Sequence, residues 1–149
     1  MRGISLIELL VVIALLAIIS VGISLNYIST QREVELEASA QDIISALLYA
    51  QGMAIAGKEG ERWGIHFENP FGGESFYALF KGDSYVDPGE EKFFLSRLVD
   101  FLNPSDGSSI DVIFNRFGKT TNSYSIEIVI KNKTSPIKII NINQEGKIE

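Results

Sequence analysis

The stretch Ile4-Ser5-Leu6-Ile7-Glu8-Leu9-Leu10-Val11-Val12-Ile13-Ala14-Leu15-Leu16-Ala17-Ile18-Ile19 decides how this chain is built. Glu8 is a lone carboxylate at its head, and no other charge appears until Arg32. From Leu9 to Leu25 only Ser20, Gly22 and Ser24 interrupt the apolar run. A spanning helix needs about 20 mostly apolar residues, so the run is long enough for a membrane stem. A carboxylate that close to hydrocarbon is costly and calls for a partner that offsets it.

Two simpler readings compete. A secretory signal peptide has a basic start, a short apolar region and small residues at a cleavage point. Here the apolar run continues too far, with no small-x-small site beyond it. A plain amino-terminal anchor fits better, because Arg2 alone would hold the start on the cytoplasmic side. It leaves Glu8 unexplained.

Arg2-Gly3 followed by Ile4-Ser5-Leu6-Ile7-Glu8-Leu9-Leu10-Val11-Val12-Ile13-Ala14 resembles the class III signal of type IV pilins and type II secretion pseudopilins. The resemblance joins a basic-Gly cleavage site to an acid at the fifth mature position. It implies that a prepilin peptidase cuts between Gly3 and Ile4 on the cytoplasmic face and methylates the new Ile4 amine. It also implies that Glu8 meets the amino terminus of a neighbouring subunit as an assembly contact. In a low-dielectric bundle an ammonium near that carboxylate offsets its desolvation and fixes the axial register.

Two features depart from the family pattern. The leader, Met1-Arg2-Gly3, is short, and no proline stands near Leu25. Gly22, flanked by Ser20 and Ser24, is the local weak point of the stem, since glycine raises the cost of helix and serines bond back to the backbone. Close packing between helices accounts for the same small residues.

The chain has 149 residues, room for one membrane stem and one head of about 100 residues. Its net charge is −6, most of the acids lie beyond the stem, and such a head disfavours nonspecific phosphate binding. It has no cysteine, which excludes a disulfide and a thiolate metal site without reporting the compartment.

Beyond Arg32 the spacing predicts an amphipathic continuation of the helix, with Leu36, Ala40, Ile43, Leu47, Ala50 and Ala54 on one stripe, widened by Leu48, Met53 and Ile55. Gly57, followed by Lys58-Glu59-Gly60, suits its end. Trp63, Ile65 and Phe67 then alternate with Gly64, His66 and Glu68, and Phe76, Ala78 and Phe80 with Tyr77, Leu79 and Lys81. With the Pro70–Gly73 turn between them they predict a hairpin. Further strands are expected at Ile110–Phe114, Tyr124–Lys131 and Pro136–Asn143, the last two joined by Asn132–Ser135. In the final strand Ile137 and Ile139 face one way and Ile140 and Ile142 the other, which a bulge or burial on both faces would explain.

The fold class is therefore α+β: a long N-terminal helix whose amphipathic half packs on an antiparallel sheet. This is also the pilin-like architecture. Ala38–Gln51, Trp63-Gly-Ile-His-Phe67 and Asn141–Ile148 resemble the H-type minor pseudopilin and its FimT-like pilin relatives. The organisation expected is a leader at 1–3, a transmembrane and filament-core helix at 4–29, and a head at 30–149.

No catalytic residues are expected. The single histidine, His66, is placed on an outward strand face as solvated surface. The acids Asp83, Asp87, Glu90 and Glu91 around Pro88-Gly89 suggest calcium, but their spacing matches no ligand pattern and a solvated turn is preferred. No metal or cofactor is assigned. Some FimT-like relatives end in a basic Gly-Arg-x-Arg motif that binds DNA. Here Gly146-Lys147-Ile148-Glu149 keeps one basic position and replaces the other by an acid, and Lys131, Lys133, Lys138 and Lys147 amid net negative charge read as a soluble face. Asn132-Lys133-Thr134 is a glycosylation-type sequon that a hairpin turn explains fully.

The function expected is a minor structural subunit of a type IV pilus-like filament, a type II secretion pseudopilin before a pilus or DNA-uptake pilin, with a single-pass membrane enzyme as the alternative from another class. The expected partners are other pilin or pseudopilin subunits, prepilin peptidase, the inner-membrane assembly platform, and membrane lipid before assembly, with nucleic acid not expected. The chain would sit once across the inner membrane with its head in the periplasm or outside, and then in the filament.

Overall fold

A computed structural model describes residues 5–149 and, within them, the side chains of all but residues 19–29. Helix α1 runs from Leu6 to Ile55. The chain forms two compact units, 1–34 and 35–149. In the first, the side chains described from Ser5 to Ile18 are exposed, among them Leu6, Ile7, Leu9, Leu10 and Val11. Among the described residues no helix is long and apolar enough to cross a membrane; the side chains described within the apolar run end at Ile18.

The second unit holds the core. The predicted stripe Leu36, Ala40, Ile43, Leu47, Ala50 and Ala54 is buried, so the period of 3.6 residues locates the packed face. The packed stripe is narrower than the spacing predicts. Met53 packs at the core margin, whereas Leu48 and Ile55 are exposed. The helix stops where expected: Gly57 is left-handed at φ 63°, where a residue with a Cβ is strained, and a 3₁₀ turn, Lys58–Gly60, follows.

Seven strands follow, β1 (Trp63–Asn69), β2 (Phe76–Lys81), β3 (Glu91–Phe94), β4 (Val99–Asn103), β5 (Ser108–Phe114), β6 (Tyr124–Ile130) and β7 (Ile137–Ile142). The expected hairpin is β1–β2, in register from Trp63 opposite Lys81 to Glu68 opposite Phe76, with the Gly73 N–H donating to Pro70 O. Strands β3 and β4 were not expected. Instead of one sheet there are two antiparallel ones, ordered β3-β2-β1-β5 and β4-β6-β7. The chain changes sheets three times, after β3, after β4 and after β5, and at the last change an isolated bridge pairs Phe114 with Thr120.

The two sheets close over α1. Trp63, Ile65, Phe67, Val112 and Phe114 of one sheet share a core with Val99, Phe101, Ile126, Ile128, Ile140 and Ile142 of the other. A polar joint also links them. Buried Asn69 donates from Nδ2 to Phe101 O (3.1 Å) and Pro104 O (3.2 Å), and buried Ser75 donates to Asn69 Oδ1 (3.0 Å) and to Asp100. Paired polar groups of this kind cost little, and breaking one leaves a buried group unsatisfied. In β7 the register with β6 is unbroken, so no bulge shifts the pattern. Ile140 and Ile142 are core, while Ile137 and Ile139 are exposed on the outer face.

Candidate assembly surface

Ser5 stands immediately before α1, and its Oγ accepts the Glu8 backbone N–H at 3.3 Å. Ser at the N-cap and Glu three residues on is the sequence of a capping box, and this bond satisfies one of the helix's unpaired first-turn donors. An acid in the first turn also suits the positive end of the helix dipole. The signal is legible in the sequence as Ser5-x-x-Glu8. Glu8 itself is exposed at the start of an apolar surface. The capped helix start places one exposed carboxylate beside the neighbouring leucines and isoleucines. Gly3 and Ile4, the expected cleavage and methylation positions, lie outside the described residues.

In the head, the structure overturns the placement of His66 as solvated surface. It is 6 % exposed. Its Nδ1 lies 2.5 Å from Asp111 Oδ1 on β5 and its Nε2 3.2 Å from Glu68 Oε2 on β1. Tyr85, from the β2–β3 loop, stacks on the imidazole at 3.9 Å between centroids and 6° between planes. Burial alone would lower the histidine pKa, but the hydrogen bonds that Asp111 and Glu68 accept from the ring outweigh it and hold the value above the ordinary one. Strand alternation did place His66 opposite the core face; what it missed is that the loop folds back over that face.

The acidic stretch does not converge. Asp83 pairs with Arg62 (3.1 Å), Asp87 with Lys92 (3.4 Å) and Glu90 with Lys81 (3.1 Å), and no metal-type cluster occurs among the described residues. The lysines considered as a patch are likewise dispersed. Lys131 faces Asp100 at 3.8 Å, Lys138 pairs with Glu37, and Lys147 pairs with Glu149. Gly146 has a packing role: at φ 81° it lies against Gly118. Asn132 is exposed in the β6–β7 turn at φ 63°.

Comparison with known proteins gives a family match at the amino terminus and a fold match over most of the chain. The family described as the prokaryotic N-terminal methylation motif matches residues 1–24. No curated protein matches the sequence. Two crystal structures of the type IV minor pilin FimU from Pseudomonas aeruginosa PAO1 share the fold. The P65 form has a TM-score of 0.55 at 15% identity, covering 76% of this chain and 90% of that one. The P21 form has 0.57 at 17% identity, covering 78% and 88%. The chain thus joins an N-terminal methylation motif to the fold seen in the minor pilin FimU.

Proposed function

We propose that this protein is a minor structural subunit of a type IV pilus-like filament. The carrying observation is the pairing of the methylation motif with a structured helix start at Ser5 and Glu8 and an exposed apolar surface beyond it. Exposed apolar surface of that extent needs lipid or protein to cover it. In this reading prepilin peptidase removes Met1–Gly3 and methylates Ile4, and the precursor sits in the inner membrane with its head on the far side. An assembly platform then moves it into the filament. There the Glu8 carboxylate meets the Ile4 amine of a neighbour, and each charge offsets the other's desolvation.

The head's resemblance to the H-type minor pseudopilin favours a secretion filament, whereas its likeness to FimU favours a pilus. Deleting the gene distinguishes them: secretion is lost with surface pili intact in the first case, and pili are lost in the second. The family reading itself is tested by mass spectrometry after co-expression with a prepilin peptidase. The expected product begins at Ile4 and carries one added methyl group; a chain still beginning at Met1 overturns the proposal.

A further inference from the structure

Between α1 and the outer edge of the β3-β2-β1-β5 sheet the core face is left open. The helix covers Trp63, Ile65 and Phe67 on β1, but toward β2 and β3 a groove of about 770 Å³ remains, walled by Asp42, Ala46 and Tyr49 and floored by Tyr77, Leu79 and Phe93. It shares Asp42 and Tyr77 with a smaller pocket of about 120 Å³ that extends it past Glu35. The helix wall from Glu35 to Tyr49 is roughly 20 Å long at the α-helical rise. The floor is aromatic, with Tyr77 and Phe93 stacked at 5.2 Å.

Three features say what fits there. Tyr77 is 7 % exposed, and its hydroxyl, which bonds to no other described residue, is not itself buried but opens into the groove. Burial and the nearby Asp42 carboxylate push that hydroxyl up to about 12, so it stays protonated. The charged groups at the groove are Glu35, Asp42 and Glu91 against Lys92, and Lys92 is drawn away toward Asp87 and lies over the Phe76 ring at 3.6 Å. The groove is therefore apolar below and acidic along its rim. A second copy is a poor occupant by charge, since each copy carries −6.

We propose that this groove docks a segment of a different protein, apolar on one face and bearing a lysine or arginine that sits between Asp42 and the Tyr77 hydroxyl. Helix-in-groove recognition combines an apolar face with a few placed charges in this way. The inference goes beyond the filament reading and does not depend on assembly.

The chain has no cysteine, so Ser45→Cys, on the exposed helix wall, carries an environment-sensitive fluorophore into the groove of the full-length protein in detergent. The probes are a Leu/Lys amphipathic peptide and its Leu/Glu counterpart, with the same label at Asn132→Cys as the control position. The Leu/Lys peptide should give a saturable change at the groove label only. Ala46→Trp, which fills the groove from the helix side, should weaken it at least about tenfold, the loss expected when a buried anchor is excluded. Asp42→Asn and Tyr77→Phe, both nearly isosteric, should each weaken it several-fold. Equal binding of the Leu/Glu peptide, or binding unaffected by Ala46→Trp, overturns the proposal. So does concentration-dependent self-association that Ala46→Trp abolishes, which would make the occupant a second copy.

Discussion

Gln51 and Gly146 hold the end of the helix to the end of the chain: the Gln51 side-chain amide donates to Gly146 O at 2.8 Å and to Gly118 O at 2.7 Å. One amide thus satisfies two carbonyls from turns that the sequence separates widely. The close approach demands glycine, because a Cβ at Gly146 would collide with Gly118 O and φ there is 81°. Gly146→Ala should therefore cost about 2 kcal/mol or more, the left-handed penalty plus displacement of a backbone carbonyl. Urea unfolding of the head checks this. A loss below the ordinary scatter of surface substitutions would show that the two turns part freely.

His66 makes stability depend on pH in a definite direction. Its folded-state pKa is raised, so protonation is favoured by folding, and the contribution is fully present below the unfolded value of about 6.5. It is lost as pH rises through the folded value. The urea midpoint of the wild-type head should fall across that window relative to His66→Gln, whose profile lacks this slope. Parallel profiles would mean that the Asp111 and Glu68 contacts do not depend on the charge. Tyr85, stacked on the ring, should lose near-ultraviolet dichroism over the same range.

Trp63 is the largest side chain in the core, 2 % exposed, with its Nε1 donating to Lys58 O at 3.1 Å. A head beginning at Thr30 should fold without lipid, because the buried helix stripe and both sheets lie beyond that point. Within it Trp63→Ala should cost about 3–5 kcal/mol. Tryptophan emission should be blue-shifted in the native head; emission at the wavelength of free indole would contradict the packing.

Local periodicity made most of the core legible. The stripe from Leu36 to Ala54 and the alternation of Trp63, Ile65 and Phe67 each describe one element buried on one face, and both lie in the core. What sequence could not show was long-range. Strand β3, Glu91–Phe94, is four residues long with charged residues at its start, and it exists because Tyr77 pairs with Phe93. The split into two sheets depends on which strand β6 chooses, and pairing partners leave no local mark. His66 shows the same limit, since alternation assigned its face but a loop beginning 16 residues later covers it with Tyr85. Leu48 and Ile55 failed for the opposite reason: an apolar residue next to a stripe looks buried until the width of the packed face is known.

Glu8 can serve the helix start or an assembly contact, and one isosteric substitution separates these roles. As the third residue of a capped helix it supports the turn begun by Ser5, and glutamine serves that position as well as glutamate. As an assembly contact it needs the charge, because only a carboxylate offsets a neighbouring ammonium in a low-dielectric bundle. Glu8→Gln should therefore leave the helix start and leader cleavage unchanged. Membrane-fraction yield should hold or rise, since an amide is cheaper near hydrocarbon than a carboxylate. Incorporation into sheared filaments should fall. Measured side by side, a normal membrane fraction with reduced incorporation supports the register contact. Normal incorporation shows that the carboxylate acts only in the helix start, and reduced membrane yield assigns it to insertion instead.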